Sequence, residues 1–287
     1  MKTGLLLEGG AMRGLYTAGV LDVFMQNNIS ADGIVAVSAG ALFGMNYKSK
    51  QPGRVLRYNR NYAGNRNYMG MYSLLTTGNV MNEDFCFHKI VNELDPVDFD
   101  AYRRSKEEFY AVVTNIETGK AEYIKIDDLR NAEQMEYLRA SGSMPFLSKP
   151  VCINGKKYLD GGIADSIPID KIMSLGYDRV IVILTRPENY RKKKTNALIP
   201  EICYRKYPGL VSAINSRYLV YNRQLDKVNE LAKEKKIFVI RPSRLVDIKR
   251  LERNVERIQE MYDLGREDAA KSLEAVAEYL SAANKGL

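Results

Sequence analysis

Residues 34–44 read IVAVSAGALFG. A strand-like apolar run leads straight into a serine between small residues, and a plausible helix follows. A strand, a sharp turn and a helix in that order lift a serine hydroxyl out of the end of a sheet, as in a nucleophile elbow. Strand and helix approach closely at such a turn, so its flanks must be small. Gly40 supplies one small site, and Ala36 supplies the other with one methyl more than glycine. A serine hydroxyl is a poor nucleophile until a base lies in hydrogen-bond reach and donors face the developing oxyanion. The chain holds one histidine, His88, in EDFCFHKIV, where the neighbours suggest a helix. A Ser-His-Asp triad would rest on that residue alone. Either the base is a carboxylate, or Ser38 is not a nucleophile.

The surroundings of the elbow fix the fold class. GLLLEGG reads as a short buried strand closing in glycines, and from Gly14 the pattern turns helical, with Leu15, Leu21, Phe24 and Met25 on one face. QNNISADG ends that helix, GIVAV is the second strand, and SAGALFGMNY opens the second helix. Alternation of this kind predicts an α/β fold with a mostly parallel central sheet covered on both faces, a three-layer α/β/α arrangement. Residues 46–87 have no clean period and are rich in Tyr, Asn, Met and Gly, which predicts irregular structure over the sheet, as a lid, a substrate wall or a packed connection.

Further on, residues 108–126 read as two strands around a turn. Asn131 with Gln134 forms a capping box, and KPVCINGKKYLDGG is a hairpin turning at NG. IPIDKIMSLGY is a short helix, RVIVIL (179–184) a buried strand and KIFVIRP (236–242) a last strand. From Asp247 onward, Leu251, Val255, Ile258 and Tyr262 recur at helical spacing, so the tail, about 247–284, is expected to be amphipathic helix packed on the body. No repeat or linker divides the chain, and the 287 residues are read as one domain.

Composition narrows the function. A net charge of +8 admits nucleic acid, an anionic membrane surface or anionic substrates as partners. The dense basic clusters, RKKK (191–194) and KEKK (233–236), come without a zinc spacing, an RNA-binding strand signature or a basic arm, so nucleic acid is not expected. Cys86, Cys152 and Cys203 are odd in number and far apart, which fits a reducing compartment and offers no metal spacing. No metal or cofactor is expected. The apolar run before Glu8 is too short for a signal peptide, so the expected location is cytoplasmic, with any membrane contact peripheral.

Two further stretches bear on Ser38. YLDGG (158–162) places Asp160 after an apolar strand with Gly161 and Gly162 behind it, on a turn where another backbone or a substrate can come close. It is read either as the missing base or as a simple turn. EGGAMRG (8–14) closes the first strand and opens the first helix; glycine-rich backbone at a helix N-terminus suits an anion, either a phosphate or an oxyanion. It lacks the dinucleotide-binding pattern, because position 11 is Ala, and it lacks the P-loop lysine.

In this order the three pieces resemble the patatin-like phospholipase family, whose pattern is a G-G-x-R-G loop, a G-x-S-x-G elbow and a later D-G-G or D-G-A. RASGSMPFLSKPV (139–151) and RLERNVERIQEMYDLGREDA (250–269) are also similar to stretches of the family, so the resemblance covers nearly the whole chain. It implies a patatin-like fold and a lipid acyl hydrolase of phospholipase A or esterase type. The implied nucleophile is Ser38 and the implied base Asp160. The implied oxyanion loop is Gly9, Gly10, Ala11, Arg13 and Gly14, with Ala36, Gly40, Gly161 and Gly162 supporting the elbow and the aspartate turn. The implied substrate is a lipid or other acyl ester, and neither metal nor cofactor is required. Ala11 and Ala36 depart from the family's glycines and bear on catalytic efficiency more than on fold. The alternatives are a non-hydrolytic acyl-lipid-binding or regulatory relative, a nucleotide-binding α/β protein using residues 8–14, and an acyltransferase, whose expected histidine is missing. Head group, acyl chain length and oligomeric state are not written in these motifs.

Overall fold

Leu5, Leu6 and Leu7 are consecutive, and all three are buried. Leu5 and Leu7 join one apolar cluster and Leu6 joins another, because side chains alternate across a strand and both faces of this strand are covered. A continuous apolar run is what a strand inside a three-layer protein requires.

The computed structural model describes residues 1–282. Strand β1 (Thr3–Leu7) is followed by a 3-10 turn (Ala11–Gly14), α1 (Leu15–Gln26), β2 (Gly33–Val37) and α2 (Ala39–Lys48). Next come α3 (Arg54–Tyr62), α4 (Met71–Thr77), a π-helix (Asp84–Leu94) and α5 (Phe99–Arg104). The middle of the chain holds β3 (Glu108–Asn115), β4 (Ala121–Lys125), α6 (Ala132–Ser141), β5 (Val151–Ile153) and β6 (Lys156–Asp160). The rest is α7 (Ile169–Ser174), β7 (Arg179–Ile183), α8 (Leu198–Cys203), α9 (Pro208–Lys233), β8 (Phe238–Ile240) and α10 (Val255–Ser281).

Among the described residues the sheet has eight strands in the order β5-β6-β3-β2-β1-β7-β8, with β4 also paired to β3. Strands β3, β2, β1, β7 and β8 run parallel, while β4, β5 and β6 form an antiparallel edge. The cluster that holds Leu5 and Leu7 packs the sheet against α1, α2 and α10. The cluster that holds Leu6 packs the other face against α7 and α9. This is the expected α/β/α arrangement.

Helix α1 departs from a one-sided pattern, with every residue from Leu15 to Phe24 buried. Its second face is covered by α10 at very short range. A Cβ on Gly19 would lie 2.2 Å from the Tyr262 carbonyl oxygen, and one on Gly265 would lie 2.1 Å from the Tyr16 carbonyl oxygen. The two glycines let the helix backbones touch. On either side of that contact a buried tyrosine donates to a carboxylate on the opposite helix, Tyr16 to Asp268 at 3.1 Å and Tyr262 to Asp22.

Three expectations are corrected. Residues 46–87 are mostly helical rather than irregular: the end of α2, α3, α4 and the first part of the π-helix occupy them. Their apolar residues divide between the core, as Tyr47, Val55 and Ala63 do, and a cleft, as Tyr58, Tyr68, Met69 and Cys86 do, which is why no simple period shows. The C-terminal helix begins at Val255 rather than at Asp247, because the Asn254 side chain accepts the Arg257 amide at 2.8 Å and caps it there. Its end lies at Ser281 among the described residues, and positions 283–287 fall outside them. The capping box of α6 is half formed: Asn131 accepts the Gln134 amide at 3.2 Å, whereas the Gln134 side chain serves the amides of Asp127 and Asp128. The NG hairpin turn is present, with Asn154 and Gly155 both at positive φ.

Candidate active site

Ser38 is the residue between β2 and α2, with φ 55° and ψ −124°. A non-glycine residue there is strained, and such strain recurs at functional turns. Serine at a helix N-cap usually accepts an amide of the first turn. Here the helix has no side-chain cap, and the Ser38 hydroxyl donates instead to Asp160 Oδ2 at 2.6 Å. The Ser38 amide donates to Ser141 Oγ at 2.9 Å, which ties the elbow to the end of α6.

Asp160 ends β6 and is 5% exposed, while Ser38 is 7% exposed. Its other oxygen, Oδ1, accepts the Gly162 amide at 2.7 Å, and its own amide donates to the Ser143 carbonyl at 2.8 Å. Both carboxylate oxygens are therefore directed. Burial pushes the Asp160 carboxyl above the ordinary carboxylate range, and the nearby Arg217 guanidinium and the Ser38 hydroxyl draw it back in part. A raised value makes the carboxylate a stronger base toward a hydroxyl.

Most of the sequence-derived candidates converge on this pair. A Cβ on Gly9 would lie 2.8 Å from the Ser38 Cβ, and one on Gly40 would lie 2.6 Å from the Leu7 carbonyl oxygen, so glycine is needed at both for the loop and α2 to reach the elbow. Gly10 lies against Thr185, Gly14 against Ala39, Gly161 against the Val112 carbonyl, and Gly162 between Asp160 and Arg217. Among the described residues the Gly10 amide makes no hydrogen bond, which leaves it free for an oxyanion. Ala11 has φ 50° and lines the cleft together with Ser38. Ala36 is fully buried in β2, in register with Leu7 and Ala111, so its methyl is absorbed in the sheet core.

Arg13 makes no hydrogen bond to Ser38 or Asp160 among the described residues. Its guanidinium falls among Arg186, Arg250 and Glu8, and burial with those two arginines lowers it to about 10. His88 is exposed on the π-helix, and the Ser38 hydroxyl is engaged by Asp160 instead.

An apolar cleft opens beside Ser38, about 780 Å³ counting its open mouth. Its walls come from Leu42 and Phe43 of α2, Tyr58 of α3, Cys86 and Ile90 of the π-helix, and Leu251. The segment 46–87 thus builds much of a wall, as one of its expected roles required. Sequence reasoning missed Ser141, Arg217, Lys192 and the cleft residues of the π-helix. Ser141 lies within the small-residue stretch 139–151 and Lys192 within RKKK, but Arg217 carried no local signal. Among the described residues no group of three His, Cys, Asp or Glu side chains is placed to hold a metal.

A strained serine bonded to a buried aspartate, at the carboxyl end of a parallel sheet in an α/β/α fold, defines a class. Residues 5–173 match the Patatin-like phospholipase family model, and the chain belongs to that family. Residues 207–281 match a domain of unknown function, DUF6363. The chain is 29% identical over 191 residues to the uncharacterized protein YjjU of Escherichia coli K12, a match covering 65% of this chain and 52% of YjjU. It is 30% identical over 192 residues to lysophospholipase nte1 of Aspergillus niger, covering 63% of this chain and 12% of that protein. The chain therefore spans about half, or far less, of the length of these relatives. Among solved structures, VipD from Legionella pneumophila superimposes with a TM-score of 0.49 at 14% identity, covering 96% of this chain and 67% of VipD. The type III effector protein ExoU gives a TM-score of 0.42 at 11% identity, covering 96% of this chain and 53% of ExoU.

Proposed function

We propose that the chain is a lipid acyl hydrolase that cleaves carboxylic esters through Ser38 and Asp160. The observation that carries this reading is the 2.6 Å bond from the Ser38 hydroxyl to the buried Asp160 carboxylate, at the edge of an apolar cleft able to take an acyl chain. Family membership supports the lipid substrate, and the lysophospholipase named among the relatives supports an ester one.

The chemistry follows from the geometry. Ser38 Oγ attacks the ester carbonyl carbon while its proton passes to Asp160 Oδ2. The carbonyl oxygen becomes an oxyanion and is held by the free amides around Gly10 and Ala11. On collapse the C–O bond to the leaving alcohol breaks, and Asp160 returns its proton to that oxygen. Water then attacks the acyl-serine with Asp160 as base; on collapse the bond from the carbonyl carbon to Ser38 Oγ breaks, Asp160 returns the proton to Ser38, and the fatty acid leaves. A carboxylate is a weak base, so proton transfer runs with carbon attack, and the oxyanion donors carry much of the barrier lowering.

Residues 5–173 and 207–281 act as one unit in this reading, because α10 lies directly on α1 behind the oxyanion turn. The mouth meets an anionic lipid surface. Leu198, Ile199 and Ile202 are exposed on α8, beside the exposed Lys193 and Lys194. The following Tyr204 hydroxyl accepts the Phe146 amide at 2.9 Å, in the loop that brings Met144 to the cleft. No helix among the described residues is long and apolar enough to cross a membrane.

The test is labelling by a fluorophosphonate and turnover of p-nitrophenyl esters. The wild type is expected to label and turn over, and Ser38→Ala to do neither. Persistent labelling of Ser38→Ala would remove the nucleophile assignment. A wild type inert toward every ester would favour an acyl-lipid-binding role.

A further inference from the structure

Five cations crowd the oxyanion loop around Glu8: Arg13, Arg186, Lys192, Arg217 and Arg250. Aromatic residues hold several of them in place. Tyr221 donates to Glu8 Oε1 at 2.6 Å, and the Lys192 ammonium lies 4.3 Å from the centre of the Tyr221 ring. The Arg186 guanidinium lies 4.4 Å from the ring of Tyr190, which packs edge-on against Tyr221 at 5.9 Å. Arg217 reaches Gly162 beside Asp160, and Arg250 shares the cleft wall with Ser38.

None of the five makes an ion pair within the described residues. The carboxylates within their field are already engaged. Glu8 takes Tyr221 on one oxygen and the amide and hydroxyl of Thr185 on the other, and Asp160 takes Ser38 and Gly162. Among the described residues Arg13 Nε is buried without a hydrogen-bond partner. Burial among Arg217, Arg250 and Arg13 pushes the Lys192 ammonium down to about 7. Like charges held together with their counter-charge missing form a site for an anion. A quaternary ammonium finds no cage here, because cations already cover the Tyr190 and Tyr221 rings and neither carboxylate is free.

We propose that this cluster is a head-group subsite for phosphate, and that the preferred substrate is an acyl ester of glycerol phosphate ending in a phosphate monoester. The proposal rests on the reading of Ser38 and Asp160 as the ester-cleaving pair.

The experiment compares kcat/KM on 1-acyl-glycerol 3-phosphate, the matching 1-acyl-glycerol and 1-acyl-glycerophosphocholine, for wild type, Lys192→Met and Lys271→Met. Loss of a charge-assisted contact corresponds to about tenfold or more. The wild type is expected to favour the phosphate monoester over both others by at least about that factor. Lys192→Met should collapse the preference, Lys271→Met at an exposed position of α10 should retain it, and inorganic phosphate should compete with the monoester. Equal kcat/KM on the three esters, or a preference that Lys192→Met keeps, overturns the proposal. Saturable phosphate binding that does not compete with ester assigns the cluster to free phosphate and likewise overturns the head-group role. If no ester is cleaved at all, the hydrolase reading fails. Calorimetry of inorganic phosphate then judges the subsite separately: tight binding lost in Lys192→Met upholds an anion site, and no binding by wild type removes it.

Discussion

The Ser38 hydroxyl and the Asp160 carboxylate are 122 positions apart in the chain and joined by a 2.6 Å hydrogen bond. The bond takes the place of the cap that a serine at this position would ordinarily give its helix. The elbow forgoes a cap that is typically worth about 1 kcal/mol. Ser38→Ala should accordingly cost little stability, because the hydroxyl caps nothing, while lowering kcat/KM by roughly 10³-fold or more. Thermal unfolding and ester kinetics on the same preparation check both halves; a large fall in Tm would mean that the hydroxyl is structural.

In the proposed reaction Asp160 must be ionised to take the serine proton, and burial raises its carboxyl above the usual range. Activity should fall as pH drops through that raised value, with the acid limb of kcat/KM lying above the ~4 of an ordinary carboxylate. Arg217 lowers the Asp160 value, so Arg217→Gln should move the limb to higher pH. A pH profile on a neutral ester reads this, and a limb that stays put or moves down would contradict it.

The same burial has a stability consequence. A carboxyl whose folded-state value is raised favours folding most below its unfolded value, and that contribution is lost as pH rises through the folded value. Asp160→Asn, which cannot ionise, should therefore gain in stability relative to wild type as pH rises across that window, while losing activity. Urea unfolding at acidic and neutral pH measures the difference.

Gly19 and Gly265 allow α1 and α10 to touch. Gly265→Ala places a methyl 2.1 Å from the Tyr16 carbonyl, where only backbone movement can make room. The expected cost is about 1–3 kcal/mol, seen as a lower Tm with the pair Tyr16–Asp268 loosened. An unchanged Tm would show that the helices separate freely.

Ala11 lies at φ 50° and on the cleft wall. Ala11→Gly removes a strain of roughly 1 kcal/mol but adds a similar entropy to the unfolded chain, so stability should move by less than about 1 kcal/mol. Ala11→Val adds branching at the strained φ and bulk beside Ser38, and kcat/KM should fall about tenfold or more, through KM and kcat together. Steady-state kinetics on a short and a long acyl ester decide it.

Much of this was legible in local patterns. The apolar run into Ser38 required a strand buried on both faces, and the glycines of 8–14, 40 and 161–162 marked where backbones meet. Each is a demand that neighbours in sequence impose on one another. The helices of 46–87 were not legible, because their apolar residues divide between the core and a cleft whose walls include α2 and Leu251 from the far end of the chain. The full burial of α1 depended on α10, about 240 residues later, lying on its second face.

By itself the sequence determined the alternation of strands and helices, the strained serine turn and a single histidine poorly placed to serve it, because these follow from residue type and spacing. Only the tertiary structure decided that Asp160 reaches that serine and that its carboxyl is raised by burial. It alone also decided that Arg217 and Lys192 leave their surface-like contexts to join Arg13 and Arg250 beside the glycine-rich loop of residues 8–14. Proximity and desolvation are properties of the packed layers, and no stretch of chain carries them alone.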